Sequence, residues 1–113
     1  MQAARWQAAM NWRRRVDAAL VGSGVRFNEW LVLAATRRLV RETGDDVSQN
    51  QVAVRLQLSR MSITNAMRSL DHMGLVSRGP AMSGPAWRVF VTREGVQFLR
   101  EHAASIEAAS VEA

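Results

Sequence analysis

Residues 48–74 have the sequence SQNQVAVRLQLSRMSITNAMRSLDHMG, which contains two helix-start signals eleven residues apart. Ser48 and Ser59 are both residues that suit a helix N-cap. Gln51, three residues after Ser48, completes a capping box for the first helix. The segment 57–59 is then a tight turn before the second helix, which is predicted over residues 59–74. The stretch therefore predicts a helix-turn-helix.

The second helix of this pair has one apolar and one polar face. Its apolar residues recur at intervals of three and four, as expected for one buried stripe, and the last of them precedes Gly74. They are Ile63, Ala66, Met67, Leu70 and Met73. The opposite face collects Met61, Asn65, Arg68 and His72, flanked by Ser62, Thr64 and Ser69. A solvated surface helix can show the same pattern, so amphipathicity alone does not predict a ligand.

The flanking sequence predicts further helices and one hairpin. Upstream, helices are expected over residues 3–20 and from about Asn28, as N-cap, to about Glu42. Downstream, the alternating, β-branched residues of 87–91 pair with 75–78 as a hairpin, and Thr92 caps a last helix. The order is helix, helix, short helix, helix, hairpin, helix.

The fold class expected from this order is mainly α with a small β-hairpin wing, in one domain. Its predicted parts are an N-terminal helix (1–24), a winged helix-turn-helix core (25–92) and a C-terminal helix (93–113).

Three motifs in this order resemble those of MarR-type winged-helix transcriptional regulators. VAVRLQLSRMSIT (52–64) resembles their LAxxLxLSxxTVT, LDHMGLV (70–76) resembles LexkGLV, and VTREG (91–95) resembles LTeeG. The similarity runs from about Phe27 to Leu99. It implies a DNA-binding regulator that places its second helix in a major groove and its wing over a minor groove. It also implies a homodimer held by helices from both chain ends, on a pseudo-palindromic site in double-stranded DNA.

Given that resemblance, the exposed face of the second helix and two arginines of the hairpin supply the candidate DNA contacts. An Asn amide can bond both N6 and N7 of adenine, and a Met side chain can contact a thymine methyl group. The candidates for base readout are Asn65, Met61, Ser62, Thr64 and Arg68. The candidates for phosphate contact are Ser59, Arg60, Ser69, His72, Arg78 and Arg88.

The charge distribution agrees with an anionic partner. The chain has a formal net charge of +5, and all 15 of its basic residues are arginine. Residues 55–93 contain six arginines against Asp71 alone, whereas residues 42–54 and 94–113 are each net acidic. A GC-rich genome would explain the absence of lysine but not the placement of the acidic residues.

Apolar residues at both ends exceed the needs of a winged-helix core. The candidate dimerisation residues are Trp6, Met10, Trp12, Leu99 and Ile106. A symmetric copy would bury these two surfaces together. For the tryptophans, the alternative is that they cover the domain itself.

Several other classes of protein lack their signatures. The chain has no cysteine, and its two histidines, His72 and His102, have no nearby ligand set, so neither a metal nor a cofactor is expected. No phosphate-binding glycine loop or catalytic triad pattern occurs, so we expect no enzyme. No apolar run approaches the ~18 residues that a membrane-spanning helix needs. A secretory signal has its basic residues before its apolar segment, whereas Arg13, Arg14 and Arg15 follow the first apolar segment here. A cytoplasmic protein is expected. A small-molecule effector is compatible with the sequence, but no residue supports one.

One departure from the family pattern favours an alternative function. Where the family's wing usually has Asp-x-Arg, this chain has Ser83 and Pro85, so Arg78 or Arg88 would have to supply the minor-groove arginine. The alternative is a winged-helix module for protein interaction, such as an antirepressor or adaptor, that has lost strong DNA binding.

Overall fold

The predicted order of elements is confirmed by the computed structural model, which describes the backbone of residues 2–80 and 87–112 and the side chains of residues 4–79 and 88–106. These residues form α1 (Gln2–Ala19), α2 (Phe27–Thr43), β1 (Val47–Ser48), α3 (Gln49–Leu56), α4 (Arg60–His72), β2 (Val76–Pro80), β3 (Trp87–Val91) and α5 (Arg93–Glu112). The strands make one antiparallel sheet in the order β1-β3-β2. The predicted departure at Ser83 and Pro85 lies outside the described residues.

The main core lies where α4 packs against α2 and α3. Ile63, Met67 and Leu70 on the inner face of α4 are almost completely buried, and they belong to one cluster with Leu33 of α2 and Val52 of α3. Burial of each such side chain contributes roughly 1.5–3 kcal/mol. This packing confirms the predicted apolar stripe and fixes which face of α4 points to solvent.

A second cluster joins the two ends of the chain. Val16 of α1 and Leu20, just after α1, pack with Phe27 of α2 and Ile106 of α5. The Trp12 ring makes an edge contact with the Phe27 ring, with centroids 5.4 Å apart. Part of the apolar surface at the termini is therefore buried within the subunit.

Two details differ from the sequence-based expectation. The two-residue strand β1 was not predicted, because so short a strand has no alternating pattern of its own; Val47 pairs with Val89. The N-cap of α2 is Arg26 rather than Asn28, and its N–H donates to the Glu29 carboxylate at 2.8 Å. A helix that begins at Phe27 puts this ring into the second cluster, and that burial outweighs the intrinsic preference for Asn at an N-cap.

A tight corner connects α4 to α5. The Thr92 N–H donates to the Leu75 carbonyl at 3.1 Å, and the Thr92 hydroxyl donates to the Gly74 carbonyl at 2.6 Å. The same hydroxyl accepts from the Gly95 N–H at 3.1 Å, which confirms Thr92 as the cap of the last helix. Gly95 lies so close to β2 that a Cβ there would be 2.1 Å from the Leu75 carbonyl oxygen.

We expect Gly95→Ala to destabilise the protein by about 1–3 kcal/mol, because the added methyl group forces the corner apart. In a helix with free space around the glycine, the same change would stabilise the protein by up to ~1 kcal/mol. A loss of stability therefore indicates the close approach at this corner. Urea unfolding followed by circular dichroism measures it. Gly79→Ala is the control, since nothing lies within 4 Å of the Cβ position at Gly79. A Gly95→Ala variant as stable as wild type would contradict the close approach.

Candidate nucleic-acid interface

The turn between α3 and α4 is built as predicted. Gln57 ends α3 in the left-handed conformation (φ 56°, ψ 39°), and the Leu58 N–H donates back to the Ala53 carbonyl at 3.1 Å. Leu58 packs against the main core. These contacts set the direction in which the chain enters α4.

Ser59 caps the N-terminus of α4. Its hydroxyl oxygen accepts from the Ser62 N–H at 3.1 Å, and the two serine hydroxyls lie 3.0 Å apart. Ser59, Arg60, Met61 and Ser62 are all exposed. The positive end of the helix dipole is thus presented to solvent, where an anion is favoured.

The outer face of α4 exposes the predicted base-readout residues together. Asn65, Arg68 and His72 follow one another at helical spacing with exposed side chains, and Met61 is 73% exposed at the start of the same face. Thr64 and Ser69 are half-buried at its edges. Among the residues that the structure describes, no carboxylate pairs with Arg60 or Arg68. This face therefore offers an amide, hydroxyls and two guanidinium groups to a partner.

Arg78 lies on the inner face of the hairpin, in a different environment from Arg60 and Arg68. It is opposite the buried Val89 in the β2–β3 register. Its Nε donates to the Asp71 carboxylate at 3.1 Å and its Nη1 to the Gln49 amide oxygen at 3.4 Å. Arg78 thus connects the hairpin to both α3 and α4.

Arg88 lies on the outer face of the same hairpin and is also paired. Its Nε and Nη2 donate to the Asp46 carboxylate at 3.3 and 3.1 Å, and Nη2 also donates to the Asp46 carbonyl. Asp46, Asp71 and Gln49 were not predicted as partners of these arginines. No local pattern could have done so for Asp46, which is 42 positions from Arg88.

Arg55 is the third paired arginine near the helix-turn-helix. Its Nη2 lies 2.8 Å from the Glu42 carboxylate and so joins α3 to the end of α2. This hydrogen bond lowers the pKa of Glu42. Because both side chains are exposed, the pair contributes little to stability.

The five candidate dimerisation residues have different environments in the single chain. Trp6 is 65% exposed. Met10 and Leu99 are half-buried, and so is Trp12, which also packs against Phe27 and Trp30. Ile106 is already buried against α1. Its burial therefore requires no partner subunit.

An open groove separates α2 from α5. It has a volume of about 780 Å³, and its lining includes Arg37, Arg38 and Arg41 together with the apolar side chains of Trp30 and Leu99. Within the described ranges, no helix is long and apolar enough to span a membrane, and no three His, Asp or Glu side chains cluster as metal ligands would.

Comparison with known proteins places this arrangement of elements in a known class. No family model matches the chain. The chain is 26% identical over 73 residues to an uncharacterised HTH-type transcriptional regulator of Bacillus subtilis, YdcH. The matched segment is 65% of this chain but only 49% of that relative, so the chain spans about half of the relative's length.

Solved structures extend the similarity over most of the chain. A MarR-family transcriptional regulator from Rhodococcus sp. RHA1 superposes with a TM-score of 0.80 at 25% identity, covering 92% of this chain and 71% of that one. CouR from Rhodococcus jostii RHA1, solved with p-coumaroyl-CoA, gives a TM-score of 0.77 at 26% identity, over 91% and 70%.

The fold is thus the winged helix-turn-helix of transcriptional regulators. More narrowly, the predicted resemblance to the MarR-type winged-helix regulators is confirmed. The Bacillus subtilis relative and the Rhodococcus sp. RHA1 structure are both transcriptional regulators.

We expect Ser59→Ala to cost about 1 kcal/mol of stability, because the Ser62 N–H loses its acceptor at the start of α4. Chemical denaturation measures the change. Ser62→Ala is the matched control, since it keeps the backbone N–H that Ser59 caps and removes only a hydroxyl. Equal stabilities for the two variants would show that the cap does not hold the helix end.

Proposed function

We propose that the protein is a sequence-specific regulator of transcription that binds a pseudo-palindromic operator in double-stranded DNA as a homodimer. The observation that carries the proposal is the outer face of α4, where a capped N-terminus, Asn65 and two arginines are exposed together, and neither arginine has a carboxylate partner within the described part of the chain. A helix of this diameter fits the major groove, and its N-terminal turns lie nearest to the base edges.

In this proposal the face of α4 divides into readout and positioning residues. Asn65, Met61, Ser62, Thr64 and Arg68 contact base edges. Ser59, Arg60, Ser69 and His72 contact phosphates, from the start, the flank and the end of the helix. The positive N-terminus of α4 supports the contacts made near Ser59.

Selection of bound oligonucleotides from a random duplex pool, followed by salt titration, tests the proposed function. We expect a two-fold symmetric site. The logarithm of the association constant should fall by roughly 0.9 per phosphate contact per decade of salt. A protein-interaction module would enrich no sequence and would bind its partner with little dependence on salt.

Asn65→Ala should weaken binding to the selected site by roughly 1–3 kcal/mol per half-site, because the lost amide bonds two atoms of one base. The preference at one base pair should relax while affinity for random duplex stays nearly unchanged. Fluorescence anisotropy on both duplexes measures this, with Asn28→Ala, exposed at the start of α2, as the matched control. If Asn65→Ala leaves both affinities unchanged, α4 is not the element that reads sequence.

The proposed dimer uses the part of the terminal helices that remains exposed. Trp6 has most of its surface in solvent, and Met10 and Leu99 are partly accessible. Trp12 is half-buried and contributes its remaining surface, while Ile106 supports the packing of α5 on α1. A symmetric pair would also space two α4 helices for successive major grooves.

We expect Trp6→Ser to weaken dimerisation at least about tenfold, since truncating an aromatic anchor at an interface costs about 2 kcal/mol or more and roughly 1.4 kcal/mol corresponds to tenfold. Val21→Ser is the control, because Val21 is 82% exposed in the turn after α1 and lies outside the proposed interface. Sedimentation equilibrium gives the association constants. Identical constants for the two variants would remove Trp6 from the interface.

A further inference from the structure

We infer that Arg88 and Asp46 form a clamp that fixes the wing against the helix-turn-helix, so that an acidic residue, Asp46, supports DNA binding. We call this pair the wing-base clamp. The inference rests on the proposed DNA-binding function and concerns how the wing is held at the interface. It assigns Arg88 a positioning role instead of the phosphate contact expected from sequence.

The register of the sheet brings the two residues together. Ser48 of β1 lies opposite Arg88 of β3, so Asp46, two residues earlier, is on the same face and diagonal to Arg88. Arg88 makes three hydrogen bonds to Asp46, two to the carboxylate and one to the carbonyl. The clamp therefore ties the wing to the residue that precedes β1, and β1 leads directly into α3.

Asp46 is itself held in place by its own loop. Its N–H donates to the Asp45 carboxylate at 2.8 Å. The Asp45 N–H and carbonyl both contact the Thr43 hydroxyl, which also donates to the Leu39 carbonyl of α2. Arg88 thus bonds to a residue whose backbone is held in place through the loop that follows α2.

Arg78 makes the corresponding connection on the other face of the hairpin. It bonds Asp71 of α4 and Gln49 of α3 from the inner side of the sheet, whereas Arg88 bonds Asp46 from the outer side. The hairpin is therefore fastened on both faces. A wing held in this way keeps a fixed angle to α4, and contacts to adjacent grooves then require no reorientation on binding.

Charge alone predicts the opposite role for Asp46. A carboxylate near DNA repels phosphates, and removing it would free Arg88 to bind one. On that view Asp46→Asn tightens binding. If the clamp positions the wing, Asp46→Asn weakens binding, because the ion pair is lost and Arg88 keeps only the weaker hydrogen bonds to neutral oxygens of residue 46. The sign of the change separates the two roles.

The experiment compares Asp46→Asn with Asp45→Asn on the selected duplex over a range of salt concentrations. Asp45→Asn removes the same charge one residue away and keeps a carbonyl oxygen for the Asp46 N–H. We expect Asp46→Asn and Arg88→Gln each to weaken binding about 3- to 10-fold, and the double variant to lose no more than either. The salt slope should stay at the wild-type value, and Asp45→Asn should bind at least as tightly as wild type.

The inference is overturned if Asp46→Asn binds as tightly as Asp45→Asn. It is also overturned if Arg88→Gln lowers the salt slope by about 0.9 per subunit, which is the signature of a lost phosphate contact. If a single variant fails to fold, the charge-swapped pair Asp46→Arg with Arg88→Asp takes its place. If the clamp is correct, the swapped pair binds the selected duplex more tightly than Asp46→Arg alone. Equal affinities for the swapped pair and for Asp46→Arg contradict the clamp.

A measurement without DNA keeps this inference separate from the proposed function. Amide hydrogen exchange of residues 47–48 and 88–90 in the free protein should be faster in Asp46→Asn than in Asp45→Asn. Absence of any duplex binding by the wild type would reject the proposed function and leave the clamp to be judged by exchange. Equal exchange rates in the two variants would reject the clamp.

Discussion

Burial of one face of α4 is the constraint on which the rest of the structure depends. Ile63, Met67 and Leu70 are enclosed by α2, α3 and the sheet, and each is at most 1% exposed. Because side chains on a helix have fixed directions, enclosing this stripe leaves Asn65 and Arg68 facing outward. The outer face of α4 is thus a consequence of core packing, and no separate interaction is needed to display it.

The corner at Leu75 extends this constraint to the C-terminal helix. Thr92 joins α5 to the end of α4 through its backbone and its hydroxyl, and Gly95 permits an approach that any side chain would prevent. The first turn of α5 therefore cannot move independently of the end of α4. In a dimer built through α1 and α5, the separation of two α4 helices would depend on this corner.

The fold was predictable where local chemistry and periodicity agree. The Ser48 and Ser59 caps, the stripe beginning at Ile63 and the Thr92 cap all have the partners expected from sequence. The start of α2 was not predictable from the sequence, because the position of Phe27 depends on packing against α1, which no local preference encodes. The exposed face of α4 was predictable as a surface, whereas its contacts to DNA remain a prediction, since they require a partner.

The charge pattern shows why the remaining parts of the site could not be predicted. Counting along the chain separates six arginines in residues 55–93 from a neighbouring acidic segment, 42–54. In the structure that segment supplies Glu42 to Arg55 and Asp46 to Arg88, while Asp71 takes Arg78. Within the described residues, three of the six arginines are therefore paired with carboxylates, two of them with that acidic segment, and Arg60, Arg68 and Arg93 are not. Since a guanidinium bonded to a carboxylate has part of its charge and some of its donors already engaged, the charge most available to DNA in this segment is that of Arg60 and Arg68 on α4 and of Arg93 at the start of α5. The paired arginines set the shape of the surface around α4.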